Sequence, residues 1–377
     1  MDDEDKWFFD SIKRYNQLQM FDFDKSAQYL DLSSENNLCV ALEPDHNNKC
    51  EILVCALPST LQLKEGNNDL KFDRNLSFTH GYFTNSPVVQ MKCIPSKEYL
   101  VISETNDVGL YNFSCEDSDF IQRISTLPCA LHRADVAVNP ENNYIGLCES
   151  TKDHRLVIDY SNLTTVFNLV DVSEPEANLR PNFLSPDVIS FANSSSGSVS
   201  LYDIRTRTLS GSISIPDIIE ITKSSVSRWV FKSTYGLKSD HPGFNNNLLY
   251  LLSTNGNYIV YDWRNLKETA HYSKHQFDCE SKISRKWDIK MAISPSNVNR
   301  FTVCGFDENV YVCELVDDKI EVMFTHDGHP YSKDEFEQNV TSVCAQWLPF
   351  VSPTTLTSCA DNTSLHCWQF LTKNKPE

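Results

Sequence analysis

Along this chain, short runs of alternating apolar and polar residues recur between turn-forming residues, and they recur as a unit. Each unit holds an apolar-alternating run, a Pro- or Asn-rich turn, a second run ending near Ser or Cys, a tight turn, and a third run that ends on an aromatic residue and an acid. The clearest copies run from Val88 to Asn112 and from Trp287 to Glu314. Others close at Val157-Ile-Asp159, Leu201-Tyr-Asp203, Val260-Tyr-Asp262 and Cys367-Trp-Gln369, and a degenerate first copy runs from Ala27 to Pro58, closing at Val54-Cys55. The penultimate residues of these ends, Cys55, Tyr111, Ile158, Tyr202, Tyr261, Cys313 and Trp368, are spaced by 56, 47, 44, 59, 52 and 55 residues. Short alternating runs separated by turn chemistry are β-strands, and three or four of them per period make one propeller blade. The pattern therefore predicts an all-β, seven-bladed β-propeller over 19–371, followed by a short tail at 372–377.

A ring of sheets has to be closed. Only nine residues follow Trp368, too few for a turn and the outer strand of the last blade. That strand is expected from Gln19-Met-Phe-Asp-Phe-Asp24, with Phe21 and Phe23 as its anchors, pairing with the edge left open by Leu365 to Phe370. Before it, Trp7, Phe8, Ile12, Tyr15 and Leu18 recur near helical spacing after an acidic start. An amphipathic helix over Glu4 to Leu18, within an amino-terminal unit of residues 1–18, is expected to lay that apolar face on the ring. A helix that docks a partner is the alternative.

Charge and composition narrow the function. The 51 acidic and 33 basic side chains leave 51 − 33 = 18 net negative charges, which disfavours direct binding of nucleic acid or of anionic membranes. No apolar run is long enough to span a bilayer, and the acidic start does not read as an export signal. The 13 cysteines are odd in number and include no C-x-x-C pair, so they are expected as free thiols packed as small hydrophobes in a reducing compartment. The glycosylation-like triplets at Asn75, Asn112, Asn162, Asn193, Asn339 and Asn362 are then chance matches.

Candidate chemistry is sparse. A third strand ending aromatic-acidic is the WD-repeat signature, and in such blades a loop His, a Ser or Thr, a turn Asp and the Trp form a buried hydrogen-bonded tetrad. The last blade offers His329, Thr357, Asp361 and Trp368, although Asp361 lies seven residues before Trp368 rather than the usual six. Asp307 has the usual spacing in the sixth copy, where Cys313 replaces the Trp. A metal at His326 and His329 would need a third ligand that the spacing does not reveal, so the tetrad role is the simpler reading. Without a phosphate loop, a nucleophile elbow or an H-E-x-x-H helix, nothing names an enzyme or a cofactor. Tyr202-Asp-Ile-Arg205 and Tyr261-Asp-Trp-Arg264 repeat an aromatic-Asp-x-Arg box. Such pairs look like those of propellers that recruit substrates to cullin-based ubiquitin ligases, with Arg205 and Arg264 as docking charges. The local alternative is that each Arg bonds its own Asp.

The ordered pieces resemble the WD repeat-containing protein 73 family over nearly the whole chain. They are Trp7, Ser11 to Tyr15, Phe21-Asp-Phe23, Leu57-Pro58, Leu61 to Glu65, His80-Gly81, Gly305-Phe-Asp307, Phe324 to His329 and Ser364 to Trp368. The resemblance implies a non-enzymatic cytoplasmic propeller, a monomer on its own. It would help assemble the RNA endonuclease module of the Integrator complex, which serves snRNA processing. The implied partners are the paired subunits 9 and 11, of metallo-β-lactamase type, and a HEAT-repeat activator of the ATM kinase, with the nuclease held inactive before nuclear import. It also implies links to microtubules, spindle poles and the cleavage furrow. No contact residue carries over from the family. On charge alone, the acidic loop from Asp327 to Gln338, with Asp334, Glu335 and Glu337, is expected to face the basic channel of such a nuclease.

Overall fold

The alternating runs fold as strands in every repeat. The computed structural model describes residues 3–34, 37–58, 75–94, 97–114, 119–149, 153–171, 178–214, 228–237, 244–275, 277, 289–331 and 339–371. These build seven four-stranded sheets, each antiparallel, and the fold is a seven-bladed β-propeller as predicted. The innermost strands of blades one to seven are Ala27–Ser34, Val88–Ile94, Ala134–Val138, Leu179–Phe183, Trp229–Ser233, Lys290–Ser294 and Ser342–Trp347. They ring a central channel. The fourth strands lie at the rim and are mostly open to solvent, as in Gln122–Thr126 and Thr208–Ile213.

Apolar packing is concentrated between blades. Seven clusters of buried side chains each take residues from two neighbouring blades, one cluster per interface around the ring. Because each sheet is covered on both faces, the central strands read as continuous apolar runs, and Thr355–Ala360 is buried at every position. The penultimate residues that mark the repeat have a structural role of their own. In five blades a β-bulge separates the third-strand residue before them from Cys55, Tyr111, Ile158, Tyr202 or Cys313. Such a bulge sharpens the local twist of the outer edge.

Blade seven is completed from the amino terminus. Strand Tyr15–Asp22 pairs antiparallel with Ser364–Phe370, with Leu18 opposite Trp368 and Phe21 opposite Leu365. Phe23 follows the strand, takes the Thr363 carbonyl through its backbone N–H at 3.0 Å, and is buried with Leu30, Val343 and Leu365 at the interface of blades seven and one. The clasp starts four residues earlier than its sequence predicts, because the helix is shorter. It spans Asp3–Arg14 and ends where Tyr15 enters the ladder.

The helix also presents a different face from the one expected. Trp7, Ser11 and Arg14, spaced four and three residues apart, point to the ring, whereas Phe8, Phe9 and Ile12 are 57%, 51% and 61% exposed. Phe8 and Ile12 sit one residue on from Trp7 and Ser11, which rotates them by roughly 100° about the axis and away from the ring. The apolar stripe is therefore split, with only Trp7 of its helical members on the inside. Among the described residues no helix is long and apolar enough to cross a membrane. All 11 described cysteines are free; nine are buried and Cys129 and Cys344 are half-buried.

Candidate functional site

The densest polar chemistry lies where the clasp strand, the end of blade six and the last blade meet. The outer strand of blade six, Lys319–His326, runs into the loop Asp327-Gly328 and a short 3-10 turn at His329–Tyr331. This loop is the anchor for the helix. The Asp327 carboxylate accepts the Trp7 Nε1–H at 2.8 Å and both arms of the Arg14 guanidinium, at 2.6 and 3.1 Å. The Trp7 ring stacks on Tyr331 at 4.8 Å. Gly328 makes the approach feasible, since a Cβ there would lie 3.0 Å from both Trp7 Cζ2 and His326 Cε1.

Behind the loop, two hydrogen-bonded chains are buried. The first begins at Tyr15, whose hydroxyl lies 2.8 Å from His326 Nδ1, and His326 Nε2 lies 3.0 Å from His366 Nδ1. The Tyr15 oxygen also accepts the Asp327 backbone N–H. The phenol therefore donates to His326 Nδ1, and His326 donates through Nε2 to His366. The second chain has one consistent proton order. Trp368 Nε1–H donates to Ser358 Oγ at 3.0 Å, the Ser358 hydroxyl donates to His329 Nε2 at 3.0 Å, and His329 Nδ1–H donates to Ser364 Oγ at 2.7 Å. Ser364 then donates to Asn362 Oδ1 at 2.6 Å, and Asn362 Nδ2 returns to the His329 carbonyl at 2.8 Å. The chains touch face to face, His326 stacking on Trp368 at 4.6 Å and His329 on His366 at 4.2 Å.

Burial holds all three imidazoles neutral. Each is fully buried, and desolvation pushes His329 down to about 3 and His326 and His366 well below the ordinary histidine value. His366 is the third imidazole that the spacing did not reveal, and one nitrogen from each ring lies within 4.8 Å of the others. These nitrogens are, however, committed to the Tyr15, serine and inter-histidine bonds just given. The donor set is that of a closed proton-ordered network, and a cation would have to break it.

The predicted tetrad is corrected by one residue at two places. Ser358, not Thr357, joins His329 to Trp368, and Asn362, not Asp361, bonds back to His329 and Ser364. In the ladder Ser358 lies opposite His366 and Leu356 opposite Trp368, whereas Thr357 lies opposite Cys367 on the other face. The Asp361 carboxylate instead accepts the Thr341 backbone N–H at 2.7 Å. Asn362 has the six-residue spacing to Trp368, a signal masked in the sequence by the neighbouring Asp. Asp307 serves its own turn, accepting the Asn309 N–H and the Tyr311 hydroxyl at 3.0 and 2.7 Å.

The other sequence candidates lie elsewhere. Arg264 forks onto Asp262 at 2.9 and 2.6 Å, and Arg205 contacts Asp203 at 3.3 Å and Asp187 at 3.5 Å. Each arginine is thus paired within its own blade. Asp334, Glu335 and Glu337 lie outside the described residues, as does the tail 372–377. Asp327, the first residue of that loop, spends its charge on Arg14.

No family model matches the chain. Along nearly its whole length it is similar to curated proteins named Integrator complex assembly factor WDR73. The zebrafish protein (Danio rerio) is 25% identical over 393 aligned residues, covering 99% of this chain and 98% of the relative. The human protein (Homo sapiens) is 25% identical over 390, covering 98% of each. A frog protein of the same name (Xenopus laevis) reaches 34% over 121 residues, 32% of each chain.

Two outcomes test the network. Ser358→Ala strands the Trp368 N–H and His329 Nε2 in the interior and should cost about 3 kcal/mol in urea unfolding. Thr357→Val, outside the network, removes only the acceptor of the weak Cys367 thiol bond at 3.6 Å and should cost about 1 kcal/mol; equal costs would contradict the corrected tetrad. The second outcome concerns pH. An unfolded chain protonates these histidines near pH 6.5, while the folded network resists until far lower, so stability present above that pH is lost as it falls. Three such groups should make the protein about 4 kcal/mol less stable at pH 5.5 than at pH 7, a window above the carboxylate titrations, and a flat urea midpoint there would refute their buried neutrality.

Proposed function

We propose that this chain, similar along nearly its whole length to the Integrator complex assembly factors, is itself a scaffold without catalytic activity that assists assembly of that complex. The observation that carries this reading is collinearity. The similarity runs over 98–99% of the chain and so takes in the helix, the clasp and all seven blades rather than one shared repeat. Fold alone would leave function open, because propellers host many unrelated activities.

The finer reading is that the chain holds the paired nuclease subunits 9 and 11 in the cytoplasm before import, together with a HEAT-repeat activator of the ATM kinase. Three features support it. The buried histidines, the residues best suited to chemistry, are committed to holding the ring together. The net charge of −18 is complementary to a partner that must present a basic RNA path, which favours fast and selective association. The acidic stretch with Asp334, Glu335 and Glu337 adds to that charge. Links to spindle poles, the cleavage furrow and microtubules rest on the family resemblance alone.

A ligase receptor would need Arg205 and Arg264 as docking charges. Both are instead paired with carboxylates of their own blades, the geometry of a local turn clamp. Affinity purification of the tagged full chain from cytosol, read by mass spectrometry, separates the readings. Subunits 9 and 11 should be recovered, Arg205→Ala and Arg264→Ala should leave recovery unchanged, and reversing Asp334, Glu335 and Glu337 to Lys should weaken it and reduce its salt sensitivity. Recovery of an adaptor propeller, lost on the arginine substitutions, would replace this proposal with the receptor reading.

A further inference from the structure

The sign of the charge inverts at the axis of the ring. The channel between the innermost strands encloses about 410 Å³, and its lining includes five cations against two carboxylates, in a chain whose net charge is −18. Both carboxylates are engaged. Asp31 on blade one sits 3.9 Å from Lys92 Nζ on blade two, and Asp135 on blade three pairs with Arg180 on blade four. Lys232 on blade five and Lys290 on blade six have no carboxylate partner among the described residues, Lys290 lying instead over the Tyr29 ring at 5.8 Å. Arg228 at the start of blade five completes the set.

Placing unpaired ammonium groups in a narrow channel works against the fold. Burial first, and then the charge of Lys92, pull Lys232 down to about 8, with Lys290 adding to the effect and Asp31 only partly offsetting it. The half-buried thiol of Cys344 on blade seven faces the same group. A perturbed cation in a concave site is the mark of a group kept for a ligand.

The arrangement also bears on the charge of that ligand. In a ring of seven, blade two lies across the axis from the gap between blades five and six. Lys92 therefore faces Lys232 and Lys290 from the opposite wall. A chain or ring of several phosphates presents charge to both walls at once, and more of it than a single phosphate does. We infer that the central channel is a binding site for a small, multiply charged phosphate-type anion, held between Lys92 on one wall and Lys232 and Lys290 on the other. Lysine suits this as a point charge that needs no fixed approach angle. The acidic exterior does not forbid entry, because charges more than roughly 8 Å away through solvent are screened at physiological salt.

Isothermal titration of the full chain with sodium triphosphate, at constant ionic strength, tests the site. Saturable one-site binding is expected, with orthophosphate at least tenfold weaker. Lys232→Gln and Lys290→Gln should each weaken triphosphate at least tenfold, while Lys267→Gln, on an exposed rim loop, should not change it. Affinity of the unaltered protein should fall as pH rises from 7 to 9, although the anion itself gains charge, because Lys232 loses its proton. Should a lysine variant fail to fold, that pH profile decides the matter. No saturable binding at millimolar triphosphate, equal affinity for orthophosphate, or affinity that holds or rises above pH 8 would each overturn the proposal, and none of them bears on which proteins the chain recovers from cytosol.

Discussion

The structure depends on how its last sheet is completed. A propeller has no ends only if one blade is built from both termini, and here the outer strand of blade seven is Tyr15–Asp22. Its ladder with Ser364–Phe370 covers an edge that would otherwise offer unpaired N–H and C=O groups to another chain. The same segment enters two of the seven inter-blade cores, Tyr15 at the interface of blades six and seven and Phe23 at that of seven and one. Loss of the clasp would therefore open both interfaces of one blade at once.

Side-chain chemistry reinforces this closure at high stakes. Buried hydrogen bonds in a dry interior are strong when every group is satisfied and costly when one is not. The chains through Tyr15, His326 and His366, and through Trp368, Ser358, His329, Ser364 and Asn362, tie the clasp to blade six and to the two last strands of blade seven. Asp327 joins the same site to the helix through Trp7 and Arg14. The result is a closed frame whose channel carries cations in excess although the chain as a whole is acidic.

Much of this was legible in the sequence, and the failures have particular causes. The seven blades followed from the spacing of one residue per repeat, and in five of the seven that residue marks the bulge between third and fourth strands. The clasp followed from counting the residues left after Trp368. The sequence points to Thr357 where the structure uses Ser358, because Thr355–Ala360 is buried on both faces and no polar alternation shows which side a residue takes; Asp361 draws the turn position because it stands beside Asn362 and is the acid the repeat pattern calls for. His366 stands two residues before Trp368, the spacing that puts both on one face of a strand, but it lies 40 residues from His326 along the chain and meets it only in the fold. The helix was given the wrong inner face because Phe8 and Ile12 have the right period but the wrong phase relative to Trp7. The channel lysines could not be read at all, since Lys92, Lys232 and Lys290 meet only once blades two, five and six are set around one axis.

Hydrogen exchange resolved to single amides measures the closure itself. If the clasp is an integral strand, the amides of Gln19 and Phe21, which share the inward phase of the Phe23 N–H bonded to Thr363, and those of Leu365 to Trp368 should exchange with the protection of the inner strands of the ring, and in one cooperative step with them. Rapid exchange at Gln19 and Phe21 while the rest of the ring stayed protected would contradict the account, showing a propeller that holds without its amino-terminal strand.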